Sequence, residues 1–163
     1  MVETCSNPDA LSCDYPPLLL QAFQHAFPDQ RAPHVTTGPG STVWVAAAGN
    51  GSAVMNLVVP ELDAWLAFRL SVPGQPACRT DVIGTPLPPW ALYICAVGWA
   101  WAAAGHTVPG LDAVIHSVRG VGAGFVWETG LSFAAVWQDL GGWPLPAGGL
   151  LGLMTRVRGY FHG

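Results

Sequence analysis

The stretch GTPLPPWALYICAVGWAWAAAG, residues 84 to 105, carries no formal charge, and an apolar run of that length must end either in a bilayer or inside a layered fold. Prolines at 86, 88 and 89 limit its helix to Trp90–Ala104. At 1.5 Å per residue that helix spans about 22 Å, short of a hydrocarbon core of about 30 Å. The segment therefore predicts a buried helix, with a small membrane-associated protein as the weaker alternative.

A helix that is apolar all round needs partners on several sides, and the flanking sequence supplies them. TVWVAAA (42 to 48), MNLVVP (55 to 60) and DAVIHSV (112 to 118) are β-branched or apolar runs that read as strands. DAWLAFRLSV (63 to 72) alternates in part and DVIG (81 to 84) is short, so each is expected as a further strand. LLLQAFQHAF (18 to 27) places Leu19, Leu20, Phe23 and Phe27 near one helical face and stops at Pro28. GLSFAAVWQDL (130 to 140) and GGLLGLMTRVRGYF (148 to 161) read as later helices. Strands first, then helices mixed with strands, is the order of an α+β domain and not of a regular βαβ repeat.

Charge narrows the function classes. Only 10% of the 163 residues are charged, all six basic residues are arginines, and the formal net charge is −4. No basic cluster exists, which argues against nucleic acid and anionic membrane surfaces as partners. Residues 1–17 read as a flexible lead without the basic flank and apolar core of a secretory signal, so the expected location is cytoplasmic. Cys5, Cys13, Cys78 and Cys95 lack metal-ligand spacing and are expected as thiols, and no two of the five histidines are spaced as ligands.

One segment invites chemistry. In GLDAVIHSVRGVGAGF (110 to 125) a strand feeds a turn with glycines at 120, 122 and 124, which either cradles a phosphate or bends the chain. Glu128, Thr129 and Ser132 follow at the start of a helix, where they either offer oxygens to a magnesium ion or cap the helix. GVGAG is neither a P-loop nor a G-x-G-x-x-G fingerprint, and a chain without lysine cannot contain the former.

GLDAVIHSVRGVGAG resembles, without gaps, the galactokinase segment G-x-D-x-V-I-x-x-x-V-P-x-G-A-G that precedes the L-S-S-S-A phosphate loop of that family. WALYICAVGWAWAAAG is similar to its W-x-x-Y helix, and APHVTTGPGSTVW with NLVVP to the frame of its sugar-binding motif. LGGWPL and RVRGYFHG resemble its later helix junction and R-x-E-N-E-Y-V-G stretch. The resemblance spans about residues 18 to 163. It implies a GHMP-kinase N-terminal domain of the ribosomal protein S5 domain 2-like fold, one domain over 18–163, with the C-terminal kinase domain and the catalytic aspartate of C-G-I-M-D-Q absent.

By that resemblance ATP would contact Gly120, Gly122, Ala123, Gly124, Thr129 and Ser132, and Mg2+ would be held by Glu128 and Ser132. The sugar-binding set departs from the family. Ser41, Thr42 and Val43 stand where it has R-V-N, and Gly49, Asn50, Gly51, Ser52 and Ala53 where it has E-H-T-D-Y, which leaves only Asn50 and Ser52 to touch a sugar. Phe125, Val126 and Trp127 replace the leucine and two serines after GAG, although Gly130, Leu131 and Ser132 offer an alternative registration that spoils the downstream spacing. The resemblance thus implies a carbohydrate-kinase-like pseudokinase fragment with weak or lost ATP and Mg2+ binding and no catalytic residue. The alternative is an interaction module that pairs with itself, or with a chain supplying the missing domain, through an uncovered apolar face.

Overall fold

The computed structural model describes residues 3–5, 16–38, 40, 42–70, 80–118, 120 and 123–162. In chain order the elements are β1 (Glu3–Cys5), α1 (Pro17–Ala26), β2 (His34–Thr37), β3 (Val43–Gly49), β4 (Val54–Val59), a 3-10 turn (Pro60–Leu62), β5 (Ala64–Arg69), α2 (Pro89–Ala103), β6 (Leu111–Ser117), α3 (Ala123–Gly141) and α4 (Gly149–His162). The strands form one sheet in the order β1-β2-β3-β6-β4-β5.

Alternation of side chains along the strands divides the core into two layers. Val43, Val45 and Ala47 of β3, Leu57 of β4 and Ala113 and Ile115 of β6 face α2, α3 and α4 and join Ile94, Trp101, Phe133, Trp137 and Met154 in the larger core. Trp44, Ala46, Ala48 and Val114 face the other way, where the ten-residue α1 covers them with Leu19 and Phe23, joined by Phe27 just after it. The run of alanines in β3 is therefore buried on both sides.

The apolar stretch takes the place its composition demands. Pro89 opens α2, ten of its fifteen residues are buried, and among the described residues no helix is long and apolar enough to cross a membrane. Gly98 lets this helix approach its neighbours closely: a Cβ there would stand 3.4 Å from Trp137. Cys95 is a buried thiol on the same helix.

Three sequence expectations are corrected. DVIG is a turn, not a strand: the Asp81 carboxylate accepts the Ile83 and Thr85 amides at 2.9 Å each, and such side-chain capture of backbone donors competes with strand pairing. The helix read over 130 to 140, with Glu128 near its start, begins earlier, at Ala123, so the second half of the glycine turn is its first turn. Two strands also arise where none was read, β2 within APHVTT and β1 within the lead; they pair antiparallel with each other, and β2 pairs with β3.

Although β3 and β4 are consecutive, they do not pair. β6 lies between them, antiparallel to β3 and parallel to β4. The chain entering β6 is pinched at Gly110, whose amide donates to the Ser52 carbonyl at 2.6 Å and whose own carbonyl accepts the Asn50 amide at 3.1 Å. A Cβ at that position would stand 2.7 Å from the Ser52 oxygen, so only glycine fits.

One carboxylate ties this junction together. Asp112, half-buried in β6, accepts the side-chain amides of Gln30 at 3.1 Å, Asn50 at 3.0 Å and Asn56 at 2.9 Å, joining the exit of α1 to β3, β4 and β6. Replacing Asp112 with alanine takes one acceptor from each of three side-chain amides, of which Asn50 keeps the Val54 carbonyl and Gln30 the Gly49 carbonyl, so Asp112→Ala is expected to lower stability by about 1–2 kcal/mol. Urea denaturation checks this; an unchanged midpoint would show that water satisfies the three amides equally well.

Candidate functional site

The C-terminal end of β6 opens into a cavity of about 460 Å³ lined by Gly40, Thr42 and Val43 on one side and by Ser117, Gly120, Gly124, Phe125 and Glu128 on the other. Gly120 has φ +70, a left-handed conformation that a side chain would strain, and the Ser117 hydroxyl donates to its carbonyl at 2.6 Å. α3 starts directly after this turn, so its first amides and positive dipole end lie at the cavity margin. The Phe125 ring closes the floor edge-on against Trp90 at 6.0 Å.

Glu128 defines the far wall. Its Oε1 accepts the Gly40 amide at 2.8 Å and its Oε2 accepts the Thr42 hydroxyl, so one carboxylate binds the β2–β3 turn to α3. None of the described lining residues is basic. The guanidinium of Arg158 lies elsewhere, 4.6 Å above the Trp127 ring. Burial pushes the phenol of Tyr93 above its ordinary range, partly opposed by a hydrogen bond and the charge of the same arginine.

Of the residues expected to meet a nucleotide, Gly120 and Gly124 line the cavity, Ala123 opens α3 beside them, and Gly122 lies outside the described residues. Thr129 and Ser132 do not join them. Both are fully buried against the sheet, their hydroxyls have no partner among the described residues, and the Ser132 carbonyl accepts the Thr36 hydroxyl at 3.0 Å. Helical geometry explains the separation: residue 128 faces the turn, whereas 129 and 132 face the core.

The magnesium set therefore does not fit. Both oxygens of Glu128 are spent on the turn, Ser132 is outside the cavity, and among the described residues no three His, Cys, Asp or Glu side chains converge to hold a metal ion.

Asn50 and Ser52 sit elsewhere again. The Asn50 amide donates to the Val54 carbonyl and to Asp112, while its oxygen accepts the Ser52 amide and hydroxyl at 3.0 and 2.8 Å. Asn50 lines a second cavity, also of about 460 Å³, with Phe27, Asp29, Gln30 and Asp112; Ser52 does not. The register pairs Val43 with Ser117 at one end of β3 and Gly49 with Leu111 at the other. At about 3.3 Å per residue the two cavities stand about 20 Å apart along the strand.

Two histidine–carboxylate contacts were not legible in the sequence. His34 Nδ1 meets Asp139 at 2.6 Å, tying β2 to the end of α3, and His116 pairs with Glu61, tying β6 to the 3-10 turn. Each joins positions far apart in the chain, so no local pattern announces it.

No protein-family model matches the chain, and no curated protein matches it in sequence. Among solved structures it is similar to the crystal structure of the Methanococcus jannaschii mevalonate kinase, with a TM-score of 0.55 and 10% sequence identity, over 80% of this chain and 40% of that one. The chain thus spans less than half the length of that kinase, and at this identity the likeness is one of fold. Six strands in one sheet, with α2, α3 and α4 on one face and the glycine turn leading into α3, make this an α+β domain with the fold of the N-terminal part of a GHMP kinase.

Proposed function

We propose that the chain is a galactokinase-like domain of GHMP-kinase fold that does not transfer phosphate and binds nucleotide no better than millimolar. The observation that carries this reading is the separation of the two cavities. Phosphoryl transfer requires donor and acceptor oxygens in line and within about 3.5 Å of contact, yet the cavity with the residues read as nucleotide contacts and the one with Asn50, read as a sugar contact, stand about 20 Å apart. The chemistry of the first cavity supports it further, because a polyphosphate there would meet the Glu128 carboxylate with no basic partner among the described lining residues. ATP and Mg2+ are used by the kinases of this fold, and weak ATP binding without a dedicated metal site is what the present side chains allow. A cytoplasmic location belongs to the same reading.

The test is a coupled ATP-consumption assay with the full chain, with galactose as acceptor because of the sequence resemblance and mevalonate because of the structural one. Both are expected to stay at the no-enzyme background. Turnover of even ~0.1 per second with either acceptor, well below the typical range for enzymes, would overturn the proposal.

A second reading, self-association, is favoured by where apolar side chains remain exposed. Trp65 is 57% exposed on β5 and Ile83 is 84% exposed on the neighbouring turn, whose Val82 amide donates to the Ala67 carbonyl of β5. With so few charges elsewhere, such a patch has little to keep copies apart. Sedimentation across a concentration series is expected to give a mass above 17.1 kDa, and Trp65→Ser to lower it. A mass that stays monomeric at every concentration would remove this reading.

A further inference from the structure

The Glu128 carboxylate does more than line the first cavity. Its two oxygens take the Gly40 amide and the Thr42 hydroxyl, donors that the described residues of the β2–β3 turn present there. The turn is also shaped around this side chain. A Cβ on Gly38 would stand 2.9 Å from the Glu128 Cβ, and one on Gly40 would stand 2.7 Å from Oε1, so both glycines are needed for the carboxylate to seat. The turn is closed from beneath by the Gly38 amide on the Val43 carbonyl at 3.2 Å, and by the Thr37 hydroxyl on the same oxygen at 2.9 Å. What remains adjustable is the contact across the cavity.

We propose that Glu128 is an autoinhibitory strap: an acidic side chain of the protein itself holds the donors that a phosphate oxyanion would use, and so keeps the cavity shut against anions. The proposal rests on the reading of this cavity as the nucleotide-phosphate site. A carboxylate and a phosphate compete for the same N–H and O–H groups, and their like charges repel at this range. Removing the side chain has two separable effects: the turn loses its tie to α3, and an anion gains two donors while losing one repulsion. Neutralising it removes the repulsion while leaving one oxygen to accept from the turn.

Hydrogen exchange and equilibrium dialysis on the full chain test the two effects separately. Wild type, Glu128→Gln, Glu128→Ala and Thr42→Val are compared, with inorganic phosphate and with ATP as the probes and no divalent cation present. Thr42→Val leaves α3 intact, and so serves if a Glu128 variant fails to fold. The expected result is exchange about tenfold faster over residues 38 to 44 in Glu128→Ala and Thr42→Val. Phosphate and ATP are expected to bind Glu128→Gln and Glu128→Ala about tenfold more tightly than wild type. Unchanged exchange in all variants would overturn the strap. Faster exchange without any gain in anion binding would overturn its autoinhibitory role by showing that the cavity is no phosphate site.

Discussion

The double pairing of β6 is the constraint from which the rest of the molecule follows. Seven residues pair antiparallel with β3 along their whole length and, through Asp112 to Val114, parallel with β4. A strand inserted between two sequence neighbours must be entered and left at the sheet ends, so both of its junctions become special. The entry is pinched at Gly110 and fastened by Asp112; the exit turns at Gly120 into α3. Each end carries a cavity, and the stiffness of a paired strand keeps them about 20 Å apart. The same topology that builds the sheet therefore separates the residues that a sequence reading would join into one active site.

A chain so poor in charge puts its few carboxylates to internal use. Asp81 holds a turn by two amides, Asp112 gathers three side-chain amides, Glu128 ties a turn to a helix, and Glu61 and Asp139 each meet a histidine. In a partly buried setting an anion that accepts several donors is worth more than an exposed ion pair, because less of the interaction is lost to water. These acids act as struts between segments that apolar packing alone would leave free to slide. Glu128 and Asp112 each line one of the two cavities as well.

Much of the layer arrangement was legible because it follows from local pattern. The three prolines before Trp90 set the start of α2, and the apolar character of that helix on every side required burial. The β-branched runs at 43–49, 54–59 and 111–117 mark strands directly. What was not legible depends on distant partners. β2 has only four residues, too few for a period to show, and gains its stability from β3. The start of α3 within glycine-rich sequence runs against helix propensity, and there Phe125 packs against the distant Trp90. Asp112 carried a visible carboxylate, but its three partners lie 56 to 82 residues away, and those of Glu128 lie 86 and 88 away. Thr129 and Ser132 misled because hydroxyls beside a glycine turn look like ligand contacts, whereas the helical phase turns them into the core.

A double-mutant cycle between Glu128 and Thr42 tests the central claim most directly, because it isolates the carboxylate–hydroxyl contact from whatever each substitution does alone. Glu128→Gln, Thr42→Val and the double variant would be compared with wild type by denaturant unfolding. A charge-assisted hydrogen bond in this half-buried position predicts a coupling of about 1–2 kcal/mol, so that the double variant loses less stability than the sum of the two single losses by that amount. Effects that add to within about 0.4 kcal/mol would contradict the account, since the carboxylate would then not be holding the turn.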